Sequence, residues 1–286
     1  MTDSRVAVVT DSTACIPSEA LQGLDIPVIP LWLIWDDDRY RDGVDIAPEA
    51  FYRLLQERDT IPSTSQPSVG EFVDFYRQVA AEKHTDTIVG IFISSKISGT
   101  VASAEAAAAE LPELNIKIID SFSTSMGLGF LALAAVREAA RGGSASAVIE
   151  AANDVRQRLT VLFTVDTLEY LHKGGRIGGA KRFLGTMLNI KPLLHLNDGC
   201  VEPMCQIRTK QRALAEMLDR AEERLNGKAM GELAVIDVGC REESKRLAAV
   251  AKARFGVSEV YLAPVSPVIG THAGPGTVGV GFYARP

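Results

Sequence analysis

The chain has no Cys-x-x-Cys pair. Its four cysteines, Cys15, Cys200, Cys205 and Cys240, are scattered. That excludes a zinc ribbon or a dithiol redox motif and leaves reduced, structural thiols as the expectation. The four histidines, His84, His172, His195 and His272, show no metal-ligand spacing. No apolar run approaches the roughly twenty residues a membrane helix needs. The longest, 126–136, is broken by Gly127 and Gly129 and ends on Arg137 and Glu138. Met1-Thr2-Asp3-Ser4-Arg5 leads straight into an apolar strand without a basic start and a long apolar core, so no secretory signal is read there. A cytoplasmic protein without membrane insertion is expected. Positive charge is also short. Lys and Arg number 30 against 36 Asp and Glu, a net charge of -6, which argues against general nucleic-acid binding. The nucleophile elbow G-x-S-x-G, the P-loop and H-E-x-x-H are all missing. Gly274-Pro275-Gly276 precedes a strand rather than a helix, so it does not read as a nucleotide cradle. No catalytic residue, metal or cofactor is expected, and a non-enzymatic protein is the reading that follows.

What is present is a large soluble core. The 286 residues are 47% hydrophobic and 23% charged, enough for two lobes. In the first half, apolar strands alternate with polar turns and helices. The strand at 6–9 runs into Thr10-Asp11-Ser12-Thr13. The strand at 87–93 runs into Ser94-Ser95-Lys96-Ile97-Ser98-Gly99-Thr100 and an alanine-rich helix. The strand at 116–119 runs into Asp120-Ser121 and a helix over 126–141. This pattern predicts an α/β fold with a parallel sheet covered on both faces. Ligands on such sheets sit beyond the carboxyl ends of the strands, where these turns lie. Asp11 and Asp120 are best read as helix caps there.

Ser68-Val69-Gly70-Glu71 is a capping box that opens a helix. The two prolines of Pro62-Ser63-Thr64-Ser65-Gln66-Pro67 hold that stretch extended or turned. Its hydroxyls therefore lie near a helix N-terminus, a favourable place for an anion. The second half, after a helix over 145–159, is a mixed α/β lobe. Asn197-Asp198-Gly199 is its hairpin signal, and the alternating 277–284 reads as a closing strand. We place the lobes at 1–158 and 159–286. The run 164–179 carries Gly174, Gly175, Gly178 and Gly179, with Arg176 between the pairs. Glycines there allow positive φ and close backbone approach. Arg176 either braces this segment internally or faces a partner. With 208–212 (Arg-Thr-Lys-Gln-Arg), it makes two basic clusters in an acidic chain, which suits a docking face.

Five segments in order resemble the DegV family of bacterial proteins across essentially the whole chain. They are Val9-Thr10-Asp11-Ser12-Thr13, Thr64-Ser65-Gln66-Pro67, Ser94 through Thr100, the glycine-rich run continuing to Leu194, and Thr271-His272-Ala273-Gly274-Pro275-Gly276. The resemblance implies a two-lobed α/β fold with a long-chain, palmitate-like fatty acid buried between the lobes. It implies that Thr64 and Ser98 hold the carboxylate, with His272 at the same end of the pocket. Ser65 and Ser95 are adjacent hydroxyls and further candidates. It also implies a partner, a separate ATP-dependent fatty acid kinase subunit that converts the bound acid to an acyl phosphate for phospholipid synthesis. Two other readings stay open. One is a small-molecule transferase or hydrolase, since the fold resembles the substrate-binding part of dihydroxyacetone kinases. The other is a lipid-sensing regulatory module.

Overall fold

The computed structural model describes residues 6–58, 60–186 and 190–286. The start read for a signal, Met1 to Arg5, and residues 187–189 of the family-like run lie outside the described residues. Seven strands lie up to residue 120: β1 (Val6–Asp11), β2 (Val28–Ile29), β3 (Trp32–Trp35), β4 (Asp38–Arg41), β5 (Ser63–Ser65), β6 (Thr87–Phe92) and β7 (Asn115–Asp120). Six follow from residue 159: β8 (Leu159–Thr164), β9 (Lys191–Asn197), β10 (Cys200–Ile207), β11 (Met230–Asp237), β12 (Tyr261–Pro264) and β13 (Val278–Ala284).

Strands β2-β1-β6-β7 form a parallel sheet. Successive residues of β1 and β6 enter different cores. Ala7, Val9, Ile88 and Phe92 pack under the helices Val69–Lys83 and Thr100–Ala109. Val8, Val89 and Ile91 pack on the opposite face with the helix Ser125–Ala140. Burial on both faces is why these strands read as unbroken apolar runs. Strands β10-β9-β8-β13-β11-β12 form the second sheet, antiparallel except for the β11–β12 pair. Its outer face carries the helices Lys210–Leu225 and Arg241–Phe255. The fold is thus α/β, with a parallel sheet in the N-terminal part and a mixed sheet in the C-terminal part.

The helix Ser125–Ala140 lies between the two sheets, packed on β1 and β6 on one side and on β8, β11 and β13 on the other. The apolar run 126–136 is therefore a core helix, hydrophobic all round because it is covered all round. Among the described residues no helix is long and apolar enough to cross a membrane. The helix approaches the second sheet closely because Gly127 meets Gly281 of β13. A Cβ on Gly281 would stand 3.6 Å from the Gly127 amide nitrogen, and one on Gly127 would stand 2.7 Å from a Val161 methyl. Strand β13 is central, between β8 and β11. The strand expected over 277–284 forms at Val278–Ala284. Of its alternate glycines, Gly281 faces the helix Ser125–Ala140, and Gly279 lies against Phe163 and Ile236.

A third, antiparallel sheet, β4-β3-β5, is a small ribbon that the sequence reading did not foresee. Its β5 is the Pro-flanked hydroxyl stretch, paired on one side to β3 through Leu33↔Thr64. Pro62 and Pro67 stand just outside it, where a missing N–H costs no ladder bond. The capping box forms as expected. The Ser68 hydroxyl accepts from the Glu71 N–H at 3.3 Å, and the Ser68 N–H donates to the Glu71 carboxylate at 2.7 Å. That carboxylate also accepts from Trp32 Nε1 at 2.8 Å, tying the ribbon to the helix.

Candidate ligand-binding site

An apolar cavity of ≈ 890 Å³, counting its open mouth, lies between the two sheets. Its walls come from both halves of the chain. Ile93 and Ile97 follow β6. Val161 and Phe163 are on β8, Leu196 on β9, Val201 on β10 and Ile236 on β11. Val268, Ile269 and Ala273 belong to a short helix, Pro267–Ala273. The cavity thus sits beyond the carboxyl end of parallel strand β6, where open α/β sheets place ligands.

One pole of this cavity is polar and gathers Thr64, Ser65, Gln66, Ser98, Arg176 and His272. Thr64 arrives on β5, and Ser98 on the turn just before Gly99, the residue that opens the helix Thr100–Ala109. The two segments touch, since a Cβ on Gly99 would stand 3.0 Å from the Gln66 amide nitrogen. The Ser98 hydroxyl lies 2.8 Å from that of Thr100 and accepts from the Thr100 N–H at 3.4 Å. His272 sits in the last turn of its helix, with Nε2 2.8 Å from the Thr64 hydroxyl.

The tautomer of His272 follows from its surroundings. Nδ1 is buried without a partner among the described residues, and it lies against Gly174 so closely that a Cβ there would collide with it. A proton on Nδ1 would be an orphaned buried donor, a rarer state than an unpaired acceptor. Placed on Nε2, it donates to Thr64. The Thr64 hydroxyl proton is then free for an acceptor in the cavity. Burial, reinforced by the Arg176 charge, pushes the His272 pKa down to about 4, so the imidazole is neutral near pH 7.

Arg176 donates from Nε to the Ile97 carbonyl at 3.0 Å and from Nη1 to the Gly174 carbonyl at 2.7 Å. It therefore braces the glycine-rich run against the Ser98 turn, and it makes no ion pair among the described residues. The run itself is a short helix, Glu169–Lys173, then a turn, then the 3-10 helix Gly178–Thr186. The Asp198-Gly199 hairpin turn, both residues at positive φ (47° and 80°), docks on the same loop region. There the Ser94 hydroxyl donates to the Gly199 carbonyl at 3.0 Å.

Ser95 is not brought to the pole. It is exposed, does not line the cavity, and its N–H points to the Asp120 carboxylate at 3.3 Å. Asp120 also accepts from the Phe122 N–H at 2.9 Å. Asp11 accepts from the Thr13 and Ile93 N–H groups at 2.9 and 2.8 Å. Asp11 caps the short 3-10 helix Ser12–Ala14, as expected, whereas Asp120 caps no helix: the next helix begins at Ser125, and Asp120 holds loop backbone instead. Lys210, in the second basic cluster, pairs with Glu243 at 2.7 Å. The sequence reading missed Gln66 as a wall of the pole and the hydroxyls of Thr124 and Ser125 deeper in the cavity. It also missed the helix carrying His272, although Ser266-Pro267, an N-cap followed by proline at the first helical position, is a legible start signal. Among the described residues no cluster of metal-binding side chains is present.

Fold and site together define an α/β protein with an apolar cavity between its two larger sheets, headed by hydroxyls and a neutral histidine. Comparison with known proteins gives the particular family. A family model described as "Uncharacterised protein, DegV family" matches residues 5–285. A DegV domain-containing protein of Clostridium acetobutylicum is 37% identical over 284 residues, 98% of each chain. Two solved structures share the fold. One, of a fatty-acid-binding DegV family protein from Thermus thermophilus, has a TM-score of 0.90 and 35% identity, over 98% of this chain and 100% of that one. The other, of DegV from Bacillus subtilis, described as a fatty acid binding protein, has a TM-score of 0.89 and 32% identity, over 99% and 100%. The chain belongs to the DegV family, as its five motifs indicate.

Proposed function

We propose that this protein binds one long-chain fatty acid in the cavity between its sheets. Thr64 and Ser98 hold the carboxylate, and the protein presents it to a separate ATP-dependent kinase subunit. The observation that carries the reading is the Thr64–His272 contact at the head of a mostly apolar cavity. Burying about fifteen methylenes at about 0.8 kcal/mol each is worth roughly 12 kcal/mol before the costs of binding. A bare buried carboxylate would offset much of that gain. Two hydroxyl donors relieve it, and Arg176 nearby adds a favourable charge.

Hydroxyl donors leave more freedom than a bidentate guanidinium grip would. One carboxylate oxygen remains free to attack the γ-phosphorus of ATP, forming an acyl phosphate and releasing ADP. The flanking residues Ser63, Gln66 and Gly99 are exposed, which puts the polar pole within reach of a partner. The protein itself supplies no catalytic group and acts as carrier. Fatty-acid-binding relatives of the same fold support the reading. Titration of delipidated protein with a sixteen-carbon acid and with the matching alcohol tests it. The acid should bind at least tenfold more tightly. Equal affinities would overturn the carboxylate pole.

A further inference from the structure

Resting on the fatty-acid reading above, we infer that Thr124 and Ser125 form a second polar station inside the cavity. It takes a hydroxyl carried on the acyl chain, so the preferred ligand class is a hydroxylated long-chain fatty acid. Both residues line the cavity. The other hydroxyls of its wall have partners. Thr64 is bonded to His272, Ser65 to the Gln66 carbonyl, Ser98 to Thr100, and Thr277 to the Ala273 and Gly274 carbonyls. The Thr124 and Ser125 hydroxyl oxygens are buried without a partner among the described residues, and Ser125 is 1% exposed. A plain acyl chain laid against them would leave two buried hydroxyls facing methylenes, which opposes binding.

The availability of both hydroxyls has local causes. Thr124 is the N-cap of the helix Ser125–Ala140, yet its side chain makes no cap hydrogen bond. A threonine there ordinarily turns its hydroxyl onto the first helical turn. Here the Thr124 carbonyl accepts from the Gly127 N–H at 3.1 Å and the hydroxyl is left for the cavity. Ser125 neighbours Cys15, but that thiol is already engaged. It donates to the Thr13 carbonyl and accepts from the Ser266 N–H, both at 3.3 Å. A ligand hydroxyl can donate to one of the two side-chain oxygens and accept from the other. Arg176, the charged side chain of the lining, lies at the carboxylate pole, so a neutral oxygen suits this station better than a second carboxylate.

The station stands apart from that pole. The first turns of the helix Ser125–Ala140 rest on residues 14–16, where a Cβ on Gly129 would stand 2.8 Å from the Ala14 carbonyl oxygen. Cys15, in that segment, bonds Ser266, which caps the start of the helix Pro267–Ala273. His272, which meets Thr64, is in the last turn of the same helix. The helical rise sets Ser266 and His272 about 9 Å apart. A hydroxyl several carbons down the chain, not one beside the carboxylate, therefore reaches Thr124 and Ser125.

The test is a titration of delipidated protein with octadecanoic acid and with isomers carrying one hydroxyl at the second, sixth, ninth or twelfth carbon. Wild type, Thr124→Val and Ser125→Gly are compared, with urea unfolding as the folding check. Glycine suits Ser125, whose φ of 51° is left-handed. In wild type, an isomer with an interior hydroxyl should bind about tenfold more tightly than the unsubstituted acid, and the 2-hydroxy isomer should not. In each variant that ratio should fall towards one. If no isomer binds wild type better than the unsubstituted acid does, the station is wrong while the fatty-acid reading stands. A preference that survives in both folded variants, or that peaks at the second carbon, overturns it as well. If neither the unsubstituted acid nor any isomer binds, the fatty-acid reading fails, and the station with it. Should Thr124→Val not fold, Ser125→Gly and the wild-type series decide between these results.

Discussion

Thr64 meets both the ligand pole and His272, so its replacement separates the roles of the residues around it. A hydrogen bond to a charged group is worth about 1.5–3 kcal/mol. Thr64→Val and Ser98→Ala should each weaken fatty acid binding about ten- to a hundredfold, measured by calorimetric titration. Arg176→Ala should weaken it less than tenfold, because its guanidinium is committed to the Ile97 and Gly174 carbonyls. If Arg176→Ala abolished binding in folded protein while the two hydroxyl changes did not, the assignment would be reversed. Part of this site is legible in the sequence. Thr64, Ser98 and His272 stand in short motifs whose order carries the resemblance. What no single motif reveals is that His272 bonds Thr64 across 208 positions of chain. Nor does it show that Ser95, three residues from Ser98, faces solvent. A turn of one residue more or less decides which hydroxyl points inward, and composition does not encode that choice.

Among the elements, the central helix Ser125–Ala140 matters most, because both sheets rest on it. Gly127 is its closest point of contact. A methyl there would collide with the Ser123 hydroxyl and press on Val161. Gly127→Ala should therefore destabilise the protein by about 1–3 kcal/mol, the usual cost of overpacking, measured by urea unfolding. A neutral effect would mean that the helix is free to shift. The long elements were legible because their signals are local. The Ser68 capping box, the Asn197-Asp198-Gly199 turn and the apolar strands of the parallel sheet each declare themselves within about ten residues. The ribbon β4-β3-β5 and the helix Pro267–Ala273 were not read. Strands of three or four residues have too few positions to show a period. The helix has Pro267, Gly270 and Thr271 within seven residues, so packing rather than propensity forms it. The position of β13 depends on its neighbours, which a strand's own sequence does not name.

At the scale of the whole molecule, the two halves share one core. Residues of the parallel sheet, the central helix and the mixed sheet meet in a single cluster. Partly buried polar links reinforce it. Cys15 Sγ accepts from the Ser266 N–H at 3.3 Å, and Arg137 pairs with Glu232 at 2.6 Å. Near the first of these lies Asp42, 1% exposed, which accepts from the Ser12 hydroxyl at 2.7 Å. Burial pushes Asp42 up to about 7 and Asp11 up to about 6.

The folded protein therefore holds these protons at pH values where the unfolded chain has released them. Their contribution to stability is complete below about pH 4 and is lost as pH rises through about 6 to 7. His272, lowered to about 4, works in the opposite sense. Its contribution is complete above about pH 6.5 and is lost as pH falls towards 4. Asp42→Asn isolates one of these groups. Relative to wild type, the variant should gain on the order of 1–3 kcal/mol between pH 5 and pH 8, read from urea unfolding at both values. A difference that does not change with pH would show that Asp42 is ionised in the fold.

The central claim is that the space between the sheets is a fatty acid site. Native mass spectrometry of the protein purified from bacteria, without added lipid, tests it most directly. One bound acid per chain is expected, of about sixteen to eighteen carbons, lost on delipidation and restored by adding the free acid. Protein that is consistently empty, and remains empty when the acid is supplied, would contradict it.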